Sequence, residues 1–171
     1  GSSRFGICGS EGDAVITNSG GTMIAEETIA TYVEELSSKA PTPGGGSGSS
    51  VAGLLGISLM EMAVRLTEGK KKYLEYSNDY KAVIDLWENQ KEKLLFYAEE
   101  DASAFGTLME VVRNEENLDE TLQQHTVDQA ADYAGRVPLQ AGQAIVATLK
   151  GAQSISDRIN PWVVSDLIGG V

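Results

Sequence analysis

Asp101 is the residue whose type and place most suggest chemistry. It stands among Tyr97, Ala98, Ala102, Ala104 and Phe105, on the apolar stripe of a long helical pattern. A buried carboxylate is costly, so it needs a partner or a raised pKa. It is either a general acid or base, or a structural acid that accepts hydrogen bonds from a neighbouring helix start. A second stretch is Pro41-Thr42-Pro43-Gly44-Gly45-Gly46-Ser47-Gly48-Ser49-Ser50. Two prolines stop a helix and stiffen the entry, and three glycines can expose successive N–H groups. Ser47, Ser49 or Ser50 is placed to cap the helix that follows, whose N-terminus favours an anionic ligand. The same composition suits a flexible linker, although a linker explains neither the Pro-x-Pro stiffness nor the helix that follows at once.

Other candidates are weaker. Lys70, Lys71 and Lys72 follow Gly69. They are either a helix stop with solvated charges or a cationic patch for a carboxylate-bearing ligand. Asp166, after Ser165, reads as the cap of a short helix or as a site residue. His125, beside Gln123 and Gln124, reads as a surface residue. The glycine tract has no P-loop lysine and no preceding strand, so a nucleotide triphosphatase is disfavoured.

The elements that must position these groups are helical. Ile29, Val33, Leu36 and Ala40 mark a first helix over 24–40. A second spans 47–67, where Ala52, Gly53, Gly56 and Ser58 among leucines predict a central helix packed on all sides. One long helix runs over 76–113 through Tyr80, Val83, Trp87, Gln90, Leu94, Tyr97, Asp101, Ala104, Leu108 and Val111. At 1.5 Å per residue it is roughly 55 Å long. After a polar break at 114–118, a fourth helix runs over 119–136. Pro138 is expected to kink or restart it, and 139–159 reads as helical again. The fold class is all-α, an elongated antiparallel bundle with one long helix. Residues 1–22 read as a leader or tag, in which Phe5–Cys8 and Ala14–Thr17 could pair as a hairpin. Residues 23–171 form the helical domain.

The totals narrow the function. The chain has 171 residues, with 13 Lys and Arg against 25 Asp and Glu, a net charge of −12. That disfavours nucleic acid or an anionic membrane as partner. Cys8 is the single cysteine, so no intramolecular disulfide forms and no Cys/His cluster suggests zinc; a reducing, cytoplasmic setting is expected. The apolar run 51–60 is too short to span a bilayer, and no signal peptide is read at the start.

Several motifs together resemble one family: Ala40-Pro41-Thr42-Pro43-Gly44-Gly45-Gly46-Ser47, Leu66-Thr67-x-Gly69-Lys70-Lys71-Lys72-Tyr73, Glu100-Asp101-Ala102-x-Ala104-Phe105, Val137-Pro138-Leu139 and Asn160-x5-Asp166. The chain resembles the formimidoyltetrahydrofolate cyclodeaminases and the bacterial methenyltetrahydrofolate cyclohydrolases of the serine cycle type. The likeness covers roughly residue 24 to the end. It implies an all-helical homodimer with a tetrahydrofolate derivative as substrate and no metal. Within it, Asp101 is implied as the acid/base. Pro43, Gly44, Gly45, Gly46, Ser47 and Asp166 are implied in substrate binding, with Lys71 and Lys72 for the folate tail carboxylates. Gly48-Ser49-Ser50 departs from the family's alanine-rich continuation, and the chain stops at Val171, where the family usually continues. That leaves a non-catalytic helical oligomer of this fold, with or without folate binding, as the alternative. A coiled-coil adaptor is a third reading, resting on the spacing from Tyr80 to Val111.

Overall fold

A computed structural model describes residues 23–113 and 120–171, and every regular element among them is helical. The α-helices are α1 (Ile29–Leu36), α2 (Gly45–Arg65), α3 (Ser77–Arg113), α4 (Glu120–Ile155) and α5 (Val164–Gly169). Short 3-10 turns at Ile24–Glu26, Lys71–Tyr76, Ser156–Arg158 and Pro161–Val163 link them. The hairpin expected in the leader, Cys8 and the polar break at 114–118 lie outside the described residues.

Side-chain contacts fix the topology. Ser47 meets Asp101, a Cβ on Gly53 would touch Leu94, and Glu61 pairs with Lys91, so α2 and α3 are antiparallel. Trp87 Nε1 donates to the Thr148 carbonyl at 3.1 Å, Tyr80 OH donates to the Arg158 carbonyl, and Tyr133 OH donates to Glu100. That order makes α3 and α4 antiparallel as well. The segment after α4 starts beside Thr67, whose Oγ1 accepts from the Asn160 amide at 3.1 Å. It then runs back along α2 until Gly170 meets Gly56. A Cβ on Gly56 would stand 2.6 Å from the Gly170 carbonyl oxygen, so this crossing requires glycine. The stripe read for α3 faces the core as expected: Tyr80, Val83, Trp87, Gln90 and Leu94 are all buried.

The bundle departs from the sequence reading in four places. It has two long helices rather than one, of 37 and 36 residues. α4 passes through Pro138 unbroken. Proline inside a helix costs about 3 kcal/mol, but Val137 and Ala141 are buried beside it. The Tyr133–Glu100 and Trp87–Thr148 bonds also hold α4 to α3 on both sides of the proline. The first helix starts later, capped by Thr28, whose side chain accepts from the Thr31 amide. Its expected apolar face is the wrong one: Ile29 is 76% and Val33 55% exposed, whereas Tyr32 is buried. Finally, α2 is not packed on all sides. Ile57, Met60, Ala63 and Val64 face the core, while Leu55, Leu59, Met62 and Leu66 lie uncovered. Among the described helices α2 is long and apolar enough to cross a bilayer by length and composition.

An ion cluster is built on a buried acid between α2 and α3. Glu61 on α2 is 6% exposed and receives Lys91 Nζ at 2.7 Å and Arg65 Nε at 2.7 Å. Burial pushes its carboxyl up. The hydrogen bonds and charges of Lys91 and Arg65 outweigh burial and hold it below the ordinary value of 4.5. A carboxyl with a lowered pKa in the folded state adds stability above its unfolded value, and that stability is lost as pH falls through the folded one. Glu61→Gln is therefore expected to melt below the wild type at neutral pH. The gap should close as pH falls below the ordinary value of 4.5, read by thermal denaturation across pH.

Candidate functional site

The Pro-Gly tract is not a linker. After the cis Thr42–Pro43 peptide, Gly44 takes the N-cap position and α2 begins at Gly45, inside the glycines. Serine was expected at the cap, yet no side chain of the tract caps the helix. The cap comes from another helix: Asp101 on α3 presents Oδ2 to the amide of Ser47, the third residue of α2, at 2.9 Å. Asp101 thus fills the structural role left open by its sequence position. The helix geometry leaves the amides of Gly45 and Gly46 without an intrahelical acceptor.

The three glycines differ in what they permit. A Cβ on Gly46 would overlap the Asp101 carboxylate, and one on Gly44 would lie 3.3 Å from Asp101 Oδ2. The close approach of α3 dictates glycine at 46 and leaves only a tight fit for a Cβ at 44. A Cβ on Gly45 would meet nothing within 4 Å. The space before Gly45 is open, and the packing of the chain itself does not call for glycine there.

Three residues join this corner that sequence reasoning did not select. Tyr32 on α1 reaches Ser47 Oγ with its hydroxyl at 2.9 Å, inside the protein. Glu99 accepts from the Ala25 amide at 3.2 Å. Glu27 keeps one buried carboxylate oxygen, Oε2, without a hydrogen-bond partner. Burial and the nearby charges of Glu35 and Glu99 push the Glu27 carboxyl up. The signal for Tyr32 was its hydroxyl-bearing ring between residues read as apolar. Counting the helix face by Ile29 and Val33 hid it. Among the described residues no group of three or more His, Cys, Asp or Glu is placed to hold a metal ion.

The other expected site residues lie elsewhere. Lys71 and Lys72 belong to the 3-10 turn Lys71–Tyr76, past the far end of α2 from Gly45. At 1.5 Å per residue, α2 separates them from the glycine corner by roughly 30 Å. Both are exposed, and Lys72 Nζ lies 5.3 Å from the centre of the Tyr73 ring. Asp166 is in the first turn of α5 but does not cap it, since the N-cap is Val163. The Asn160–Thr67 bond places the start of this segment at the lysine end of α2. Within one chain the structure therefore joins Gly44, Gly46, Ser47 and Asp101. It gathers the lysines and the approach to α5 at the opposite end. His125 is exposed, as expected.

Residues 28–171 match the sequence profile of the family described as formiminotransferase-cyclodeaminase. The chain belongs to this family. It is 33% identical over 146 residues to the methenyltetrahydrofolate cyclohydrolase of Methylorubrum extorquens, covering 84% of this chain and 70% of that relative. It is 21% identical to the formimidoyltransferase-cyclodeaminase of the rat, with 84% of this chain matched but 27% of the rat protein. The fold matches the crystal structure of formiminotetrahydrofolate cyclodeaminase from Thermotoga maritima with a TM-score of 0.77 and 22% identity, over 86% of this chain and 70% of that one. The formiminotransferase-cyclodeaminase family thus accounts for the all-helical architecture, and its named members are folate one-carbon enzymes.

The glycines provide a direct test of the corner. Gly46→Ala is expected to displace Asp101 and cost about 1–3 kcal/mol of stability, as an overpacked site that also loses a helix cap. Gly45→Ala should leave the melting temperature unchanged or raise it slightly, since alanine is the better helix former. Chemical denaturation of the two variants separates them.

Proposed function

We propose that this chain is a folate-dependent one-carbon enzyme that hydrolyses methenyltetrahydrofolate at the corner formed by Gly44–Ser47 and Asp101. The observation that carries this reading is the hydrogen bond from the Ser47 amide to Asp101, made on the family's Pro-Gly-Gly-Gly-Ser tract. The 33% identity to a cyclohydrolase favours hydrolysis over cyclodeamination. The structural match to a cyclodeaminase supports the second reading, in which an amine attacks a formimino carbon and ammonia leaves. Both are proton-transfer chemistry at a tetrahedral carbon.

The substrate's methenyl bridge is cationic, and Asp101, Glu27 and Glu99 surround the corner with negative charge. Opposite charges attract more strongly where water is excluded. Water adds to the bridge carbon, and the Asp101 carboxylate takes the proton that it loses. The tetrahedral adduct then collapses as one carbon–nitrogen bond breaks. The leaving nitrogen receives a proton from Asp101, giving a formyl product with net release of one proton. The open space before Gly45 admits the ligand against the backbone, where the Gly45 and Gly46 amides serve as donors.

A homodimer completes the reading. The lysines and the glycine corner stand roughly 30 Å apart in one chain. A tail carboxylate can therefore reach Lys71 or Lys72 only if a second copy supplies them. The uncovered side of α2, with Leu55, Leu59, Met62 and Leu66, provides the apolar surface for such a contact. A cytoplasmic setting suits a metabolic folate enzyme.

Loss of methenyl absorbance with purified protein tests the reaction. Asp101→Asn keeps an acceptor for the Ser47 amide, so it should fold while turnover falls about 10²- to 10⁴-fold, the usual contribution of a general base. Undiminished turnover would reject the role of Asp101, and no decay with the wild type would reject hydrolysis. In sedimentation, Leu59→Asp is expected to shift the protein from dimer to monomer and to abolish turnover together.

A further inference from the structure

We propose that Tyr32 is a positioning residue for this reaction: its hydroxyl holds that of Ser47, and through Ser47 it fixes the amide that orients the Asp101 carboxylate. The assignment rests on the reading above, and it adds a residue from α1 that the family motifs do not contain.

Ser47 is completely buried and Tyr32 nearly so, and their oxygens stand 2.9 Å apart. The serines that follow behave differently. Ser49 Oγ donates to the Gly45 carbonyl at 2.7 Å, and Ser50 Oγ donates to the Gly46 carbonyl at 2.9 Å. These are the ordinary back-bonds of a helical serine to the residue four before it. Ser47, in the same turn, instead pairs with the phenol. Its own amide is fixed on Asp101 Oδ2 at 2.9 Å, so side chain and backbone of one residue connect α1 with α3.

The two hydroxyls bond each other inside the protein, and either oxygen can be the donor. Burial comes first in pushing the Tyr32 phenol up, and the charges of Asp101, Glu27 and Glu99 add to it against the pull of Ser47, so the phenol stays protonated and the bond is kept. Ser47 is fully buried, so the pair acts through the Ser47 amide and not by touching the ligand. In the proposed hydrolysis the Asp101 carboxylate takes a proton from the attacking water. A carboxylate held in one orientation does so without reorganising. For packing alone, a phenylalanine and an alanine would fill the same space without placing two hydroxyls inside the protein, where each is costly unless paired.

The test is a double-mutant cycle with Tyr32→Phe, Ser47→Ala and the pair, measured by decay of methenyltetrahydrofolate. Each single variant is expected to lower kcat about 10- to 100-fold, up to what a misplacement of about 1 Å in a reacting group costs, with KM changed less than about 2-fold. The double variant should be no slower than the slower single one, because the two hydroxyls act as a unit. A Tyr32→Phe enzyme with wild-type kcat, or single effects that multiply in the double variant, would overturn the assignment while leaving the hydrolase reading intact. A wild type that does not turn over the methenyl compound rejects the hydrolase reading and this assignment with it. Should Tyr32→Phe fail to fold, Ser47→Ala decides alone, and wild-type kcat in that variant removes the role.

Discussion

The bond between the Asp101 carboxylate and the Ser47 amide is the constraint on which the site depends. α2 starts with glycines that offer no side chain to cap it, so its first amides need acceptors from outside. α3 supplies one by bringing Asp101 against Gly46 so closely that no Cβ fits between them. The closeness explains the glycine at 46, and the carboxylate explains why the turn is ordered rather than a linker. Ser47 then passes the restraint on to Tyr32 and α1. Two helices thus converge on one residue of a third, each through a polar contact.

The same pair of helices is pinned at a second point. Glu61 holds Lys91 and Arg65 further along α2. A buried ion pair is weak evidence of stability, since desolvation offsets much of its attraction. It does fix register, because a shift of α3 by one turn would strand a buried charge. With Asp101 at one end and Glu61 towards the other, α2 and α3 are held in a single alignment. Tyr80, Trp87 and Leu94 fill the space between them and α4.

The two ends of α2 differ in chemical character. At its start are acids and a hydroxyl pair around open backbone. Past its end come Thr67, bonded to Asn160, and then Lys71 and Lys72. The glycine tract with Asp101 and the lysine stretch with Asn160, both part of the family resemblance, lie at different ends. They read as one list along the chain, but an α-helix about 30 Å long keeps them apart in space. The apolar face of α2 between them remains uncovered, and it is the surface on which the proposed second copy would pack.

What the sequence decided alone was whatever depends on local period and residue chemistry. The 3.6-residue spacing from Tyr80 to Leu94 fixed which side of α3 is buried, because side chains three and four apart share a face. The Pro-Gly tract marked a helix boundary, and a carboxylate on an apolar stripe marked Asp101 as a residue needing a partner. Local rules failed where packing outweighs them. Pro138 did not end α4, because buried Val137 and Ala141 and the bonds to α3 on either side hold the helix in place. Ile29 and Val33 marked the wrong face of α1, because their period shows that a helix has an apolar side without showing that this chain covers it. Only the tertiary structure joined Asp101 to Ser47 and Ser47 to Tyr32, and parted both from Lys71. Those distances are set by how antiparallel helices align, a long-range property that spacing along one strand of sequence does not encode.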